Sequence, residues 1–225
     1  MDGTPACPGP SRVVVGVDGA SSARTAVMRA ASEAALRGST LFLVHAAGTD
    51  AQAPFLSRAE IARNRQAGRE LLDRTAEAIT ARHPGLTVVT ELTDGGAADG
   101  LRGAAALTGT IGVGHLGLGG FPSLSLGSVG LQAAAGASTP VAMVRGTAEP
   151  VDACVVLAAV RDEADVGCAR AAAREACCAR YLVGGRLSPG YLGPALGRTA
   201  LSPLQHAHCP EELVPRQGPG HGSTS

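Results

Sequence analysis

Closely spaced glycines follow a short apolar run near residue 110, and this segment is the part of the chain best suited to ligand chemistry. Gly114-x-x-Gly117 is followed, after nine residues, by Gly127 and Ser128. A glycine-rich loop that leaves a buried strand lets backbone N–H groups approach phosphate oxygens, because no Cβ stands in the way. A helix that begins near Ser128 would add its N-terminal dipole and its free N–H groups. The spacing therefore indicates a phosphate-binding loop.

Two other interpretations of these glycines exist. Gly112, Gly114 and Gly117 fit the dinucleotide fingerprint, but that motif opens a helix at once and is followed about 20 residues later by an acidic residue. Here more glycines and a proline follow, and no acidic residue occurs between Gly117 and Glu149, which disfavours a dinucleotide. The other interpretation is a flexible glycine-rich connection that binds nothing.

The composition narrows the choice of ligands and partners. All 19 basic residues are arginines, so no lysine is available for a Schiff base or a Walker A motif, and phosphates would be bound mainly by the backbone. The formal net charge is zero and the arginines are scattered, which argues against nucleic acid and anionic membranes as partners. An aromatic content of 2% argues against a stacking platform for single-stranded nucleic acid.

The cysteines do not define a disulfide framework, because their spacing is irregular and the chain shows no secretory signal. A metal site would have to combine Cys177 or Cys178 with His206, His208 and Cys209. No CxxC or HxxxH pair supports such a site, so small buried residues are the simpler interpretation.

Short β-branched runs alternate with longer helical stretches over residues 12–146, which is typical of a parallel sheet covered by helices. The pattern predicts a five-stranded, doubly wound α/β domain with right-handed crossovers. The predicted strands are residues 13–18, 41–46, 86–92, 110–113 and 141–144. The predicted helices are one that follows a cap at Ser21 or Ser22 and stops at Gly38, residues 57–82, residues 97–107, and one that opens near Ser128.

Caps and apolar faces support the first two helices. Ser21 or Ser22 can cap the first helix, and Gly38 ends it. Pro84 and Gly85 end the second helix. The expected inward positions are Ala23, Val27, Ala30, Ala34 and Ala35 in the first helix and Leu71, Leu72 and Ile79 in the second.

The spacing Gly114-x-x-Gly117, nine residues, Gly127-Ser128 resembles the signature that distinguishes ATP-binding members of the universal stress protein family from non-binding members. The resemblance continues through Val-Val-Val-Gly-Val-Asp-Gly-Ala-Ser-Ser at residues 13–22, the strand with His45, and Thr-Pro-Val-Ala-Met-Val at residues 139–144. It covers about residues 12–146 and implies a Rossmann-like sheet of strand order 3-2-1-4-5.

The resemblance also implies a ligand, ATP with or without Mg²⁺, and the residues that bind it. Asp18 would meet the adenine, Ala46 would offer main-chain groups to the base, and the Ser128 hydroxyl would donate to a phosphate. From the sequence alone, Asp18 can also be a loop or cap residue. The complete implied set is Gly16, Val17, Asp18, Ala46, Val113, Gly114, Gly117, Gly127, Ser128 and Val129.

Residues 151–215 resemble a degenerate, partial second copy of the same unit. Residues 182–198 align without gaps on residues 112–128, with Leu187 in place of the second phosphate glycine and Arg198 in place of the serine. Residues 154–160, 181–183 and 213–214 are strand-like and residues 164–180 are helical, so the second and third strands of the unit are missing. Residues 1–11 and 216–225 are rich in Pro, Gly and Ser, which is typical of disordered tails.

The strand at residues 141–145 offers an edge for pairing. In the family, last strands pair edge to edge, so this strand could form a homodimer or pair within the chain with the second copy. Glu211 and Glu212 lie where the partner strand would begin, and charges at an edge oppose such pairing. We therefore expect the strand to be free to pair between chains.

Three functional hypotheses follow. The first is an ATP-binding stress or regulatory protein in which the nucleotide changes loop order or assembly, and the second is a nucleotide-free interaction protein on the same scaffold. The third, a hydrolase, lacks a visible base: His45 and His115 have no nucleophile and orienting group near them in the sequence, so we expect positional roles and slow hydrolysis at most. With no apolar run of about 20 residues, we expect a cytoplasmic protein.

Overall fold

The computed structural model describes residues 12–48, 56–105, 109–115, 127–144, 156–159, 181–186 and 211–215. Strands and helices alternate along the first 144 residues, and three further strands follow. The elements are β1 (Arg12–Gly16), α1 (Ser21–Arg37), β2 (Thr40–Ala46), α2 (Arg58–Arg82), β3 (Val88–Thr93), α3 (Ala97–Ala105), β4 (Gly109–Gly114), α4 (Ser128–Gly136), β5 (Val141–Val144), β6 (Val156–Ala159), β7 (Tyr181–Arg186) and β8 (Glu211–Pro215).

All eight strands form one sheet in the order β3-β2-β1-β4-β5-β8-β7-β6. Every neighbouring pair is parallel except β5 and β8, which are antiparallel. The first five strands have the predicted order 3-2-1-4-5, so the doubly wound α/β fold is confirmed. The direction of winding reverses between β1 and β4, and the two strands end side by side there.

Helix α1 differs from the prediction at both its start and its buried face. Its N-cap residue is Ala20, which has no side chain that can cap, so the prediction of Ser21 or Ser22 as the cap is wrong. Ala35 is exposed, because the face that packs on the sheet is turned toward Ala26 and Ala31. The C-terminal signal is confirmed: Gly38 takes the left-handed conformation with φ 60°.

Helix α2 begins at a capping box. The backbone N–H of Glu60 donates to Ser57 Oγ at 3.3 Å, while the backbone N–H of Ser57 donates to Glu60 Oε2 at 2.8 Å. The two bonds satisfy N–H groups at a helix end and a flanking position. Leu72 and Ile79 are buried as predicted, and Leu71 is half-buried.

The sheet separates two apolar cores. On one face, α1 and α2 cover a cluster that includes Val15, Leu43 and Leu72. On the other face, α3 and α4 cover a cluster that includes Leu101 and Met143. Alternate residues of each central strand point to opposite faces, so a strand such as β1 contributes to both cores.

Strand β8 pairs with β5, Leu213 opposite Val141 and Glu212 opposite Ala142. The expectation that Glu211 and Glu212 would oppose this pairing is wrong. Glu212 is only 2% exposed, and Leu213 joins the core beneath α3 and α4. The main-chain ladder and the burial of apolar side chains therefore outweigh the acidic residues at this edge.

Other sequence predictions differ by a few residues or fall beyond the described ranges. Strand β1 ends at Gly16 rather than at Asp18, β3 is shifted toward Thr93, and β4 extends to Gly109 and Gly114. The predicted helix at residues 164–180, the tails and the cysteine and histidine metal candidates lie outside the described residues. Within the described ranges, no helix has the length and apolar content needed to cross a bilayer.

Candidate functional site

The candidate site lies where β1 and β4 end next to each other. In this register Val15 is opposite Gly112, and Gly16 is opposite Val44 of β2 on the other side. The chain continues from β1 into α1 on one face of the sheet, while α4, which follows β4, lies on the other face. In open α/β sheets this reversal leaves a crevice beyond the strand ends. Open α/β sheets bind their ligands at this kind of reversal point.

The turn from β1 into α1 is held by its own backbone and by Asp18. The Val17 N–H donates to the carbonyl of Val44 at 2.9 Å, which continues the sheet one residue beyond β1. Asp18 Oδ1 accepts from the Ala20 N–H at 2.9 Å, and Gly19 between them has φ +84°. Asp18 thus stabilises the loop ahead of α1, and its half-buried side chain lies at the end of β1.

His45 fixes the same turn from the side of β2. Its Nδ1 lies 2.6 Å from the carbonyl oxygen of Val17, a geometry in which Nδ1 carries the hydrogen and donates. Above the ring, α2 approaches at Gly68, where an added Cβ would lie 2.6 Å from His45 Cδ2. A histidine at the end of β2 and a glycine inside a helix are visible in the sequence, but nothing there indicates that they meet.

Gly114, at the end of β4, lies directly against the first turn of α1. A Cβ at this position would lie 2.7 Å from the carbonyl carbon of Ser22 and 2.9 Å from the nitrogen of Ala23. Both atoms belong to the backbone and cannot turn away. The close packing therefore requires glycine at residue 114, and it places the end of β4 beside the N-terminus of α1.

The two ends of the glycine-rich loop meet. The Gly127 N–H donates to the carbonyl of His115 at 2.7 Å, and the His115 N–H donates to Val144 of β5 at 3.1 Å. Helix α4 starts immediately after Gly127, and no side chain among the described residues caps it. Its first N–H groups have no partners within the helix and point toward the start of the loop. Ser128 and Val129 are exposed there.

The structure brings together most of the implied ligand residues. Gly16, Val17, Asp18, Ala46, Val113 and Gly114 all lie at the carboxyl ends of β1, β2 and β4, and Gly127, Ser128 and Val129 open α4 beside them. Gly117 lies outside the described residues. Val17 uses both backbone polar groups inside the protein, so its remaining contribution to a ligand is apolar contact.

The described part of the chain holds no group of three or more His, Cys, Asp or Glu side chains that could bind a metal ion. The site's polar character comes from the backbone N–H groups of α4, the Ser128 hydroxyl and Asp18. This arrangement can accept an anion at the helix start and a hydrogen-bond donor at the turn after β1.

The sequence profile of the universal stress protein family matches residues 10–145. The chain belongs to the universal stress protein family. Among solved structures, a universal stress protein from Archaeoglobus fulgidus DSM 4304 is similar over 92% of this chain and 99% of its own, with a TM-score of 0.69 and 13% identity. A functionally unknown protein from Pseudomonas aeruginosa PAO1 is similar over 92% of both chains, with a TM-score of 0.57 and 14% identity.

A third structure is a universal stress protein in complex with cAMP, which covers 60% of this chain and 97% of its own at 25% identity and a TM-score of 0.47. No curated protein matches the chain significantly. The two longer similarities concern the fold, since identities of 13% and 14% do not carry residue roles to this chain.

Proposed function

We propose that this universal stress protein binds ATP in the crevice at the ends of β1 and β4, and that the nucleotide acts by ordering the loop or changing assembly. The observation that supports this most directly is the bond from Gly127 to His115, which holds the uncapped start of α4 beside the end of β4. Backbone N–H groups at such a terminus bind phosphate without a lysine. The chain contains no lysine.

The adenosine would occupy the side of the crevice nearer β1 and β2. Asp18 is half-buried at the turn, where its carboxylate can accept from the exocyclic amine or a ribose hydroxyl in addition to the Ala20 N–H. Val17 and Val113, both buried, would pack against the base and sugar, and the main chain at Ala46 would face the base. Gly114, Gly117, Gly127, Ser128 and Val129 would surround the phosphates, and Mg²⁺, where bound, would neutralise part of their charge.

Calorimetric titration of the full chain with ATP tests the proposal, with separate runs in Mg²⁺ and in EDTA. Saturable heat with ATP is expected, and the panel includes cAMP because one solved family member carries it. Folded protein that releases no heat at millimolar ATP would overturn the proposal.

Gly127→Val tests the loop itself. The backbone at Gly127 has φ −72° and ψ 148°, a region that valine also adopts, so the substitution adds bulk without backbone strain. Loss of ATP binding is expected because the side chain would stand beside the phosphates. Gly103→Val is the matched control, since an added Cβ there meets nothing within 4 Å and the residue lies on α3. Equal ATP affinity in both variants would count against the loop as the phosphate site.

We further infer that β6, β7 and β8 are the remains of a second copy of the domain. Read outward from the antiparallel pair, the order β5-β4-β1 on one side is repeated as β8-β7-β6 on the other, with parallel neighbours in both halves. This symmetry supports domain limits at residues 12–146 and 151–215.

In the second copy Leu187 and Arg198 replace a glycine and the serine, so one nucleotide site per chain is expected. Equilibrium dialysis with ATP measures the number of sites per chain, and two sites would contradict the expectation that the second copy has lost its nucleotide site.

The alternative is a nucleotide-free interaction protein, and Gly114 is the observation that favours it. Packing against α1 already accounts for that glycine, so its presence does not require a phosphate. The two functions differ in thermal stability, because a ligand that binds only the folded state raises the melting temperature. A melting temperature that rises in proportion to the logarithm of the ATP concentration once ATP exceeds its Kd would exclude the alternative.

A further inference from the structure

A cavity of about 360 Å³ lies between α1 and α2, on the face of the sheet away from α3 and α4. Its floor is formed by buried apolar side chains, Val17, Ala23, Val27 and Ile79, that belong to the core beneath the two helices or border it. Small-molecule sites in proteins have volumes of roughly 300–1,000 Å³ and mostly apolar linings. The cavity therefore has the size and lining of a small-ligand site.

The cavity exists because small residues face each other across the gap between the helices. At its upper end the turn after β1 and α2 lie in contact range, since a Cβ added at Gly19 would lie 3.9 Å from Leu71 Cδ2. Beyond this point the lining includes the small side chains of Ala20 and Ala23 on the α1 side and of Ala78 on α2. The lining runs over residues 20–28 and 71–79, two turns of each helix, or about 12 Å at 1.5 Å per residue. The gap is thus long and narrow.

Two arginines complete the lining, Arg24 from α1 and Arg74 from α2, and both are exposed at the surface. Of the described residues that line the cavity, none is acidic. Neither guanidinium has an ion-pair partner in the part of the chain that the structure describes. Guanidinium groups bind carboxylates through paired, charge-assisted hydrogen bonds. The charge at the rim is therefore complementary to an anion.

We propose that this cavity binds a small free carboxylate with an alkyl tail, the tail against the apolar floor and the carboxylate between Arg24 and Arg74. The ligand is amphipathic because the lining is: apolar below and cationic at the rim. The site is separate from the nucleotide crevice, which lies beyond the strand ends, and shares with it only the turn after β1. The proposal does not depend on ATP binding.

Methionine methyl groups give a local measurement of binding. The chain has three methionines, Met1, Met28 and Met143. Met28 lines the cavity, while Met143 is fully buried in the opposite core. Full-length protein labelled with ¹³C in the methionine methyl groups is titrated with octanoate below its micellar concentration. The Met28 resonance is expected to shift and saturate while the Met143 resonance stays in place. An unmoved Met28 resonance, or equal shifts of both, would overturn the proposal.

Ala78→Leu fills the cavity and is expected to abolish the octanoate-dependent shift of Met28. Ala81→Leu is the matched control, an exposed alanine of the same helix that does not line the cavity, and it should bind as the parent does. Ala78→Val adds less volume, so it should weaken octanoate binding only in part. The Met143 resonance reports whether Ala78→Leu disturbs folding, and in that case the valine variant replaces it. Undiminished binding in both Ala78 variants would place octanoate elsewhere and overturn the site.

Charge is tested with Arg24→Gln and Arg74→Gln. Each should weaken octanoate about tenfold, the loss of one charge-assisted hydrogen-bonding group. Arg63→Gln, on the exposed surface of α2 away from the cavity, is the control. Octanamide should bind the parent chain more weakly than octanoate does, and this preference for octanoate should be smaller in each arginine variant. Unchanged octanoate affinity in both variants would show that Arg24 and Arg74 do not bind the carboxylate and would overturn the proposal.

Phosphatidylglycerol vesicles test whether the anionic ligand with an alkyl chain is a membrane lipid rather than a free carboxylate. An opening between two helices admits a free chain, so vesicles should leave the Met28 resonance unchanged. A Met28 shift with vesicles and none with octanoate would replace the free carboxylate with a membrane lipid and overturn the proposal.

Discussion

The two faces of the sheet pack their helices in different ways. On one face α3 and α4 contact each other directly: Arg102 Nη1 donates to the carbonyl of Gln132 at 2.9 Å, and the Arg102 side chain fills the space over Gly136. On the other face a cavity of about 360 Å³ separates α1 from α2. Both pairs of helices are rich in alanine. Small residues therefore permit two helices to pack closely. Here the helices are in direct contact only on the face where the long Arg102 side chain fills the space between them.

The comparison predicts that the same truncation costs more on the α3 and α4 face. Leu101 is 2% exposed and lies in the core under these helices. Leu101→Ala should lower the free energy of unfolding by about 2–5 kcal/mol, because its neighbours cannot collapse into the space. Leu71→Ala removes a half-buried side chain beside the cavity and should cost about 1 kcal/mol. Urea unfolding of both variants measures the difference, and equal costs would remove the distinction between the faces.

The next largest effect concerns how closely α2 packs on the sheet. A Cβ at Gly68 would lie 2.6 Å from His45 Cδ2 and 2.8 Å from Leu92 Cδ1. Gly68→Ala should therefore cost about 1–3 kcal/mol through overpacking. Gly103→Ala, on α3 with open space around it, should instead stabilise the protein by about 0.5–1 kcal/mol, because alanine favours a helix. A stabilised Gly68→Ala variant would show that α2 can move away from His45.

Filling the cavity sharpens the comparison from the other direction. Ala78→Leu should raise the free energy of unfolding by about 1 kcal/mol, because it adds apolar contacts in existing space. Ala81→Leu, at a residue that is exposed like Ala78 but does not line the cavity, should stay within about 0.5 kcal/mol of the parent. If Ala78→Leu destabilises the protein, the gap between α1 and α2 closes in solution and the two faces are alike.

The smallest effect concerns the start of α2. Hydrogen bonds from the Ser57 hydroxyl and backbone lower the pKa of Glu60 below its ordinary value of 4.5. A carboxyl whose pKa is lowered by folding stabilises the protein above that value, and the contribution is lost as the pH falls through the lowered value. Ser57→Ala should cost about 0.5–1 kcal/mol at neutral pH. The cost should shrink below pH 4.5, measured by unfolding in a pH series. If the cost of Ser57→Ala were the same at every pH, the Glu60 carboxylate would make no contribution to this cap.

Much of the fold could be predicted from the sequence, because local patterns specify it. The continuous apolar runs of β1 and β2 and the helix stop at Gly38 each act within a few residues, and all correspond to elements of the structure. Errors came where a tertiary contact decides. The packing of α1 on the sheet sets which alanines are buried: Ala26 and Ala31 are buried, whereas Ala35 is exposed.

Prediction of the site was less complete for the same reason. The sequence indicates the loop by the spacing of Gly114 and Gly127, but not that Gly127 bonds to His115 or that Gly114 touches α1. Contacts between residues distant in the chain leave no periodic signal. The acidic residues of β8 were misjudged because the pairing strength of a strand depends on what its other face buries, here Leu213 in the core.

The place of β8 in the sheet sets an order for folding during synthesis. Strands β1 to β5 are complete once residue 144 has been made, and their parallel pairings involve only residues already present. Strands β6 and β7 are made next but pair with the first five strands only through β8, the last of the described strands. A nascent chain thus carries a finished five-stranded unit with an open β5 edge until residue 215 leaves the ribosome. During that interval the edge is accessible to chaperones or to a second nascent chain.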